Sequence, residues 1–309
     1  MKKFFKNLLL FFTYVIVLYF LFIILWGELM PPFARKNLNY SLGAYGHMHT
    51  RLQEVNNYKN IDILFTGSSH AYRGFDTRIA ESYGYKTFNL GSSAQTPVQT
   101  KLLLERYLDQ LQPKILVYEV YPHTFEIDGV ESSLDIIANG KIDDKVVDMA
   151  LTLNDIKTYN SLLYGFYRHT FNRDKNFNEK KIIEKDTYIP GGFIEREVED
   201  NIDSTLNNVA KAIWTPRKYQ IQAFETIVAL IKEKGIKLVL VQSPVTKQAY
   251  NKYSNNDSID RYFSGKGVYY NFNGVIKLSE TIHFYNEDHL NQRGVQLFDM
   301  ALMDSIGKK

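Results

Sequence analysis

The stretch Ile61-Asp62-Ile63-Leu64-Phe65-Thr66-Gly67-Ser68-Ser69-His70 decides how this chain is read. A short run of branched and aromatic residues closed by glycine and serines has the pattern of a buried strand ending in a tight turn. Ile61 to Thr66 therefore reads as a first strand, and Ser69 to Tyr83 as a turn and helix. Tyr85 to Leu90, closed by Gly91, reads as a second strand, and Lys114 to Val120 as a third. Between them Thr96-Pro97 has the chemistry of an N-cap and first helical position. The helix it opens carries Leu104, Leu108 and Leu111 at core-facing spacing. Thr215-Pro216 repeats that opening, Ile221, Phe224, Val228 and Ile231 supply a buried stripe, and Gly235 sits where a C-cap belongs. Ile236 to Val241 is the fourth strand, and Asn291 caps a last helix through Leu297, Ala301 and Met303. Strands alternating with helices predict an α/β domain with a parallel sheet covered on both faces.

In such sheets ligands bind beyond the carboxyl ends of the strands. Ser69 lies at one such end. A histidine comes from the far end of the chain, in Asp288-His289-Leu290-Asn291. The pair is a candidate nucleophile and base.

At 309 residues the chain is long enough for one sizeable core with an elaboration. A net charge of +3 is too mild to imply nucleic acid or a strongly acidic partner. The absence of cysteine excludes disulfides, thiolate catalysis and cysteine-ligated metals. No cofactor or metal set is evident; His47 and His49 form a pair but lack a third ligand, so the linker reading is preferred. Lys2, Lys3 and Lys6 precede an uncharged run from Leu8 through Trp26. About 20 apolar residues cross a bilayer as a helix. The lysines predict a cytoplasmic N-terminus, with Trp26 at the outer interface. Glu28-Leu29-Met30-Pro31-Pro32 offers no small-residue cleavage site, so a retained anchor is expected over a cleaved signal. The division expected is 1–30 for the stub and membrane anchor, 31–58 for a linker, and 59–309 for an extracytoplasmic domain. An insertion breaks the α/β pattern at about 128–208. Within it Lys145 to Leu151 and Asp155 to Arg168 look helical, and Tyr188 to Ile194 looks like an extended hairpin or loop.

Gly-Ser-Ser-His after the first strand and His-Leu-Asn-x-x-Gly near the C-terminus resemble the SGNH (GDSL-type) hydrolase superfamily. The likeness covers Ile61 to Pro122 and Ile236 to Ile306. It implies a flavodoxin-like three-layer α/β/α sandwich with Ser69 as nucleophile, Ser68 standing where the family usually has aspartate. It also implies His289 as base, and the N–H groups of Ser69 and Gly91 as the oxyanion hole. Within the superfamily the chain is similar to membrane-anchored bacterial proteins that assist O-acylation of alginate and D-alanylation of teichoic acid. Several of those work beside a membrane-bound O-acyltransferase, which is the partner the resemblance implies. Two positions depart from the family's pattern. Glu119-Val120-Tyr121-Pro122 lacks the oxyanion-hole asparagine, leaving Gln95 or another backbone N–H as a substitute. Three residues before His289 stands Asn286 rather than aspartate, so the orienting group is Asn286, or Asp288 where the local turn folds its side chain back.

The chemistry these residues suggest is acyl transfer through a Ser69 ester, ending on water or on a polysaccharide hydroxyl. Against it stands a catalytically weak or inactive glycan-binding or accessory protein, and below both a phosphate-binding turn, since Gly-Ser-Ser is also ordinary helix-cap chemistry. His123 and Tyr121, beyond the third strand, are candidate substrate contacts. Glu119 reads as a buried polar residue, and His70 as one that packs beside the turn.

Overall fold

The structure, a computed structural model, describes residues 1–197 and 210–307. It opens on α1 (Lys2–Leu29), the apolar helix, followed by α2 (Met48–Glu54), β1 (Ile63–Thr66), α3 (Ser69–Tyr72), α4 (Thr77–Ser82) and β2 (Thr87–Asn89). Then come α5 (Pro97–Leu111), β3 (Ile115–Glu119), α6 (Val130–Asn139), α7 (Asp144–Leu153) and α8 (Ile156–Thr170). A small antiparallel sheet follows, made of β4 (Ile182–Ile183), β5 (Asp186–Ile189) and β6 (Phe193–Arg196). The α/β pattern resumes with α9 (Lys218–Glu233), β7 (Lys237–Gln242), α10 (Lys247–Tyr250), α11 (Asn256–Ser264), β8 (Val268–Asn271), α12 (Glu280–His283) and α13 (Gln292–Gly307).

The main sheet has the order β2-β1-β3-β7-β8, and every pair in it is parallel. This is the flavodoxin-like order, in which the chain steps to one side of β1 and then returns to the other. Alternation along the strands builds two cores. Leu64, Leu116 and Leu240 face a layer containing Leu104, Leu108, Phe224 and Ile227, contributed by α5 and α9. Ile63, Phe65, Val117 and Val239 face Phe75, Phe298 and Leu302, with α13 as the main cover. A three-layer α/β/α sandwich results. α5 starts where Thr96-Pro97 predicts, with a full capping box between Thr96 and Gln99.

Four expectations are corrected or extended. The stretch 31–58, read as a linker, is largely folded: Met48, Leu52 and Val55 stand at helical spacing and enter the main core. Arg51 beside them is fully buried, donating from Nε and Nη2 to the Gly192 carbonyl at 3.0 and 2.9 Å. The ninth helix starts at Lys218 with Arg217 in the cap position, and the Thr215 N–H donates to Glu126 Oε1 at 2.7 Å. The fifth strand β8 escaped the sequence reading; as a short, partly exposed edge strand it carries little apolar signal. The end of the expected insertion, 198–208, lies outside the described residues.

Within the insertion, the β5–β6 turn is wedged against β2. Gly191 O accepts from the Asn89 N–H at 2.8 Å. Gly192 has φ +93°, and a Cβ there would stand 2.3 Å from the Asn89 carbonyl oxygen. Both the left-handed backbone and the close approach require glycine. Gly84 also has a positive φ, +86°, but faces open space. Gly84→Ala should therefore cost only its conformational strain, about 1 kcal/mol, while Gly192→Ala should cost distinctly more because backbone must move. Thermal melts of the two variants check this; equal losses would mean that the wedge does not constrain the fold.

Candidate active site

The chain crosses from one side of the sheet to the other between β1 and β3, and the ends of these two strands make the site. Gly67, at the end of β1, has φ +140°, and a Cβ on it would lie 2.7 Å from Glu119 Cβ and 2.8 Å from Glu119 Oε2. Glycine is what lets the β1 turn close onto β3. Glu119 Oε2 accepts from the Ser68 N–H at 3.0 Å and from the Ser68 hydroxyl at 2.8 Å. Ser68 also caps α3, its Oγ accepting from the His70 N–H at 3.3 Å. Ser69 is thereby set as the first residue of α3, where backbone N–H groups lack an intrahelical acceptor.

Ser69 Oγ lies 2.7 Å from His289 Nε2. His289 comes from a loop closed by the Phe284–Leu290 bridge, and it is braced by Asn291, whose Nδ2 donates to Ile282 O at 2.7 Å. The two candidates for orienting His289 have separate jobs. Asp288 Oδ1 is 2.7 Å from His289 Nδ1, whereas Asn286 Oδ1 is 3.2 Å away. Asn286 instead accepts the backbone N–H groups of Asp288 and His289 at 3.2 and 2.7 Å. It ties the turn that folds the Asp288 side chain back onto its neighbour. With Nδ1–H donating to a carboxylate, Nε2 is left as the acceptor for the Ser69 hydroxyl. Burial alone would raise the Asp288 carboxyl, but the hydrogen bond from His289 and the charges of His289 and His70 outweigh it and hold it at about 2.

A second, buried relay runs behind this one. His70 Nε2 faces the Asp288 carbonyl at 2.6 Å and so carries the hydrogen, while Nδ1 lies 3.0 Å from Ser68 Oγ, whose one proton is shared between that nitrogen and Glu119 Oε2. The His70 ring stacks on His289 with centroids 4.5 Å apart and planes 5° apart. Burial, and then the neighbouring His289, push His70 below its ordinary value, while burial pushes Glu119 up. Positive charge is thereby disfavoured on His70. Tyr285 covers the other face of His289 at 5.4 Å, and Arg196 from β6 lies over Tyr285. Asp186 of β5 bridges Arg196 to Arg73, so the insertion braces the site from outside.

Gly91 and Gln95 have other partners than an oxyanion. The Gly91 N–H donates to Asn89 Oδ1 at 3.0 Å, and the residue is glycine because a Cβ would press on Tyr72 N at 2.9 Å. Gln95 is buried, its Nε2 donating to Thr66 Oγ1 and Thr100 Oγ1 and its Oε1 accepting from Ser92. It braces the floor under β1. Tyr121 packs on His70 with centroids 4.3 Å apart, and His123 meets the far side of Tyr121 and lies 3.8 Å from Glu126. Both border the site behind the two histidines. His47 caps α2 and bonds Lys180 O, and His49 packs on Phe177. His70, Asp288 and His289 bring ligand atoms within 4.8 Å of one another. Stacked rings aim their lone pairs in parallel planes, however, and the two Nε2 atoms face Asp288 O and Ser69 Oγ. The trio does not converge on an ion. Sequence reasoning placed Ser69 and His289 but missed the Tyr285–Arg196–Asp186 brace, which carries no motif.

The cleft beside His70, Arg73, Ser243 and His289 measures only about 10 Å³. A larger cavity, about 520 Å³, is lined by Tyr40, Arg106, Arg168 and neighbours and shares no residue with the cluster. The constellation of side chains, not the volume, distinguishes this candidate site. No protein-family profile and no curated protein matches the chain. Two solved structures align with most of it. One is a GDSL-like lipase from Bacteroides thetaiotaomicron, at 11% identity over 84% of this chain and 97% of that one, TM-score 0.39. The other is a putative acylhydrolase from Bacteroides fragilis, at 11% identity over 87% and 96%, TM-score 0.40.

Because folding depresses the Asp288 pKa from 3.8 to about 2, its contribution is present above about pH 4 and is lost as pH falls through the folded value. Asp288→Asn should thus cost about 2 kcal/mol near pH 6 and progressively less toward pH 2. Urea unfolding across that range measures it; a pH-independent difference would mean that Asp288 is not held by His289.

Proposed function

We propose that this chain is a membrane-anchored serine esterase or O-acyltransferase acting on extracytoplasmic polysaccharide. The observation that carries the reading is the line Ser69 Oγ–His289 Nε2–His289 Nδ1–Asp288 Oδ1, with both hydrogen-bond steps at 2.7 Å. It has the order nucleophile, base and orienting carboxylate expected of acyl transfer. His289 takes the hydroxyl proton as Ser69 Oγ bonds to an ester carbonyl carbon. The resulting tetrahedral oxyanion meets the Ser69 N–H, and a preorganised donor of this kind contributes about 10² to 10³ in rate. The intermediate collapses, the C–O bond to the leaving alcohol breaks, and that alcohol leaves with the proton from Nε2. In the second half Nε2 takes a proton from water or a sugar hydroxyl, which attacks the acyl-serine. Ser69 regains its hydrogen as the ester or acid departs. The outward face of the anchor supports an envelope or secreted glycan as acceptor, and a membrane-bound O-acyltransferase as partner belongs to the same reading.

A second reading is an accessory or glycan-binding protein that has lost turnover. The engagement of the Gly91 N–H with Asn89, and of Gln95 with its own network, favours it by leaving the oxyanion few donors.

Exposure of the full-length protein to a fluorophosphonate, read by intact mass, tests the first reading. Wild type should gain one adduct that Ser69→Ala and His289→Ala lose. Asp288→Asn should label at least ~10² slower, as loss of the correct tautomer demands, while Asn286→Asp should keep labelling. Absence of any wild-type adduct on folded protein would transfer the case to the accessory reading.

A further inference from the structure

α1 sets a depth scale for everything packed against it. It is uncharged from Leu8 to Trp26, bracketed by Lys6 and Glu28. A spanning helix needs about 17 residues at the least, and seventeen counted from Asn7 reach Ile23. The hydrocarbon boundary on the outer side therefore lies no lower than Ile23. α8 covers the stripe Phe20, Ile23, Ile24 and Gly27, of which Ile23 and Gly27 are fully buried. The two helices run in the same direction. Tyr19 Oη donates to Asn160 Oδ1 at 2.5 Å, Tyr164 lies over Gly27, and Tyr164 and Arg168 both reach Glu28. Tyr19 is about 6 Å below Ile23 along the axis, and Ile156 is about one turn, ~6 Å, before Asn160 on α8.

The α7–α8 corner consequently lies below the outer boundary of the span, and its surface suits that place. Leu151 and Ile156 are 60% and 53% exposed, with Val147 beside them on α7. Along α8, Ile156 and Phe166 are exposed, Tyr159 between them is half-buried, and Leu163 packs on the Ile23, Leu38 and Tyr164 cluster that joins α8 to α1. Polar groups at the corner are managed locally: the Asp155 side chain caps α8 through the Thr158 N–H, and Tyr19 and Asn160 satisfy each other.

We infer that the α7–α8 corner is a second membrane contact, immersed in the outer leaflet beside α1. The domain is then held in one orientation rather than swinging on a tether. The partner surface is lipid acyl chain below and headgroup above, the amphipathic arrangement of an interfacial helix. The inference rests on the membrane-spanning reading of α1 and not on the acyl-transfer chemistry.

The absence of native cysteine makes the test clean. Full-length protein in nanodiscs would carry an environment-sensitive fluorophore at Leu151→Cys, Ile156→Cys or Phe166→Cys, each with a melt to verify folding. Phe12→Cys in α1 and Ser258→Cys on α11 are the two references. With lipids bearing a quencher near the top of the acyl chain, probes at 151 and 156 should lose roughly half or more of their emission, as a group ~5–10 Å into the acyl boundary does. Ser258→Cys should be unaffected. Quenching at Phe12 with none at 151 and 156 would overturn the inference alone. A blue-shifted but unquenched probe at 156 would overturn it in favour of a protein covering this face. An unquenched Phe12 would sink the spanning reading and the inference together.

Discussion

The carboxylate of Glu119 beneath the β1 turn is the contact on which the site depends. A buried carboxyl costs several kcal/mol if left unpaired, so the turn after β1 is built to meet it: Gly67 removes the Cβ that would collide, and Ser68 supplies two donors to Oε2. Once Ser68 is so fixed, Ser69 has little freedom, because it is the next residue and the start of a helix. The same Ser68 oxygen reaches His70, and His70 reaches the Asp288 carbonyl. One buried acid on β3 thus governs the position of a serine from one end of the domain and a histidine loop from the other.

The histidine loop solves a harder problem. A carboxylate next in sequence to a histidine ordinarily points away from the ring. Asn286 overcomes this by accepting two successive backbone N–H groups, which forces the turn and brings Asp288 round to Nδ1. Stacking between His70 and Tyr285 then holds the imidazole plane from both faces. The asparagine in the place of the expected acid is part of the geometry, not its loss.

The insertion ties these parts to the apolar N-terminal helix α1. Its helical half packs α8 on α1, and its small sheet presses Gly191 and Gly192 against Asn89 while Asp186 braces Arg73 and Arg196. Arg51 connects the two halves: it stands on α2, a segment that composition alone presents as a tether, and its guanidinium is held on the Gly192 carbonyl. The apolar period of 31–58 is confined to Met48, Leu52 and Val55 on a seven-residue helix and its C-cap, and the Arg51 contact that anchors it is polar, so the stretch reads as linker in sequence and as structure in space.

What the sequence determined by itself is what depends on near neighbours. The four apolar strand runs, the N-cap and proline at Thr96-Pro97, the glycine punctuation and the apolar length of α1 are local signals, each read from neighbouring residues. They are enough for a parallel sheet with two covered faces, and the placing of Ser69 and His289 at strand and loop ends follows from them. Whether Asn286 or Asp288 faces His289, and where the Gly91 and Gln95 donors point, was decided only by the tertiary structure. Those choices turn on hydrogen bonds between residues that are close in sequence but differently turned, or, as for Gln95 and Thr66, come from separate elements. A buried donor takes whichever acceptor the packed backbone brings within 3 Å, and no pattern of residue types records that distance.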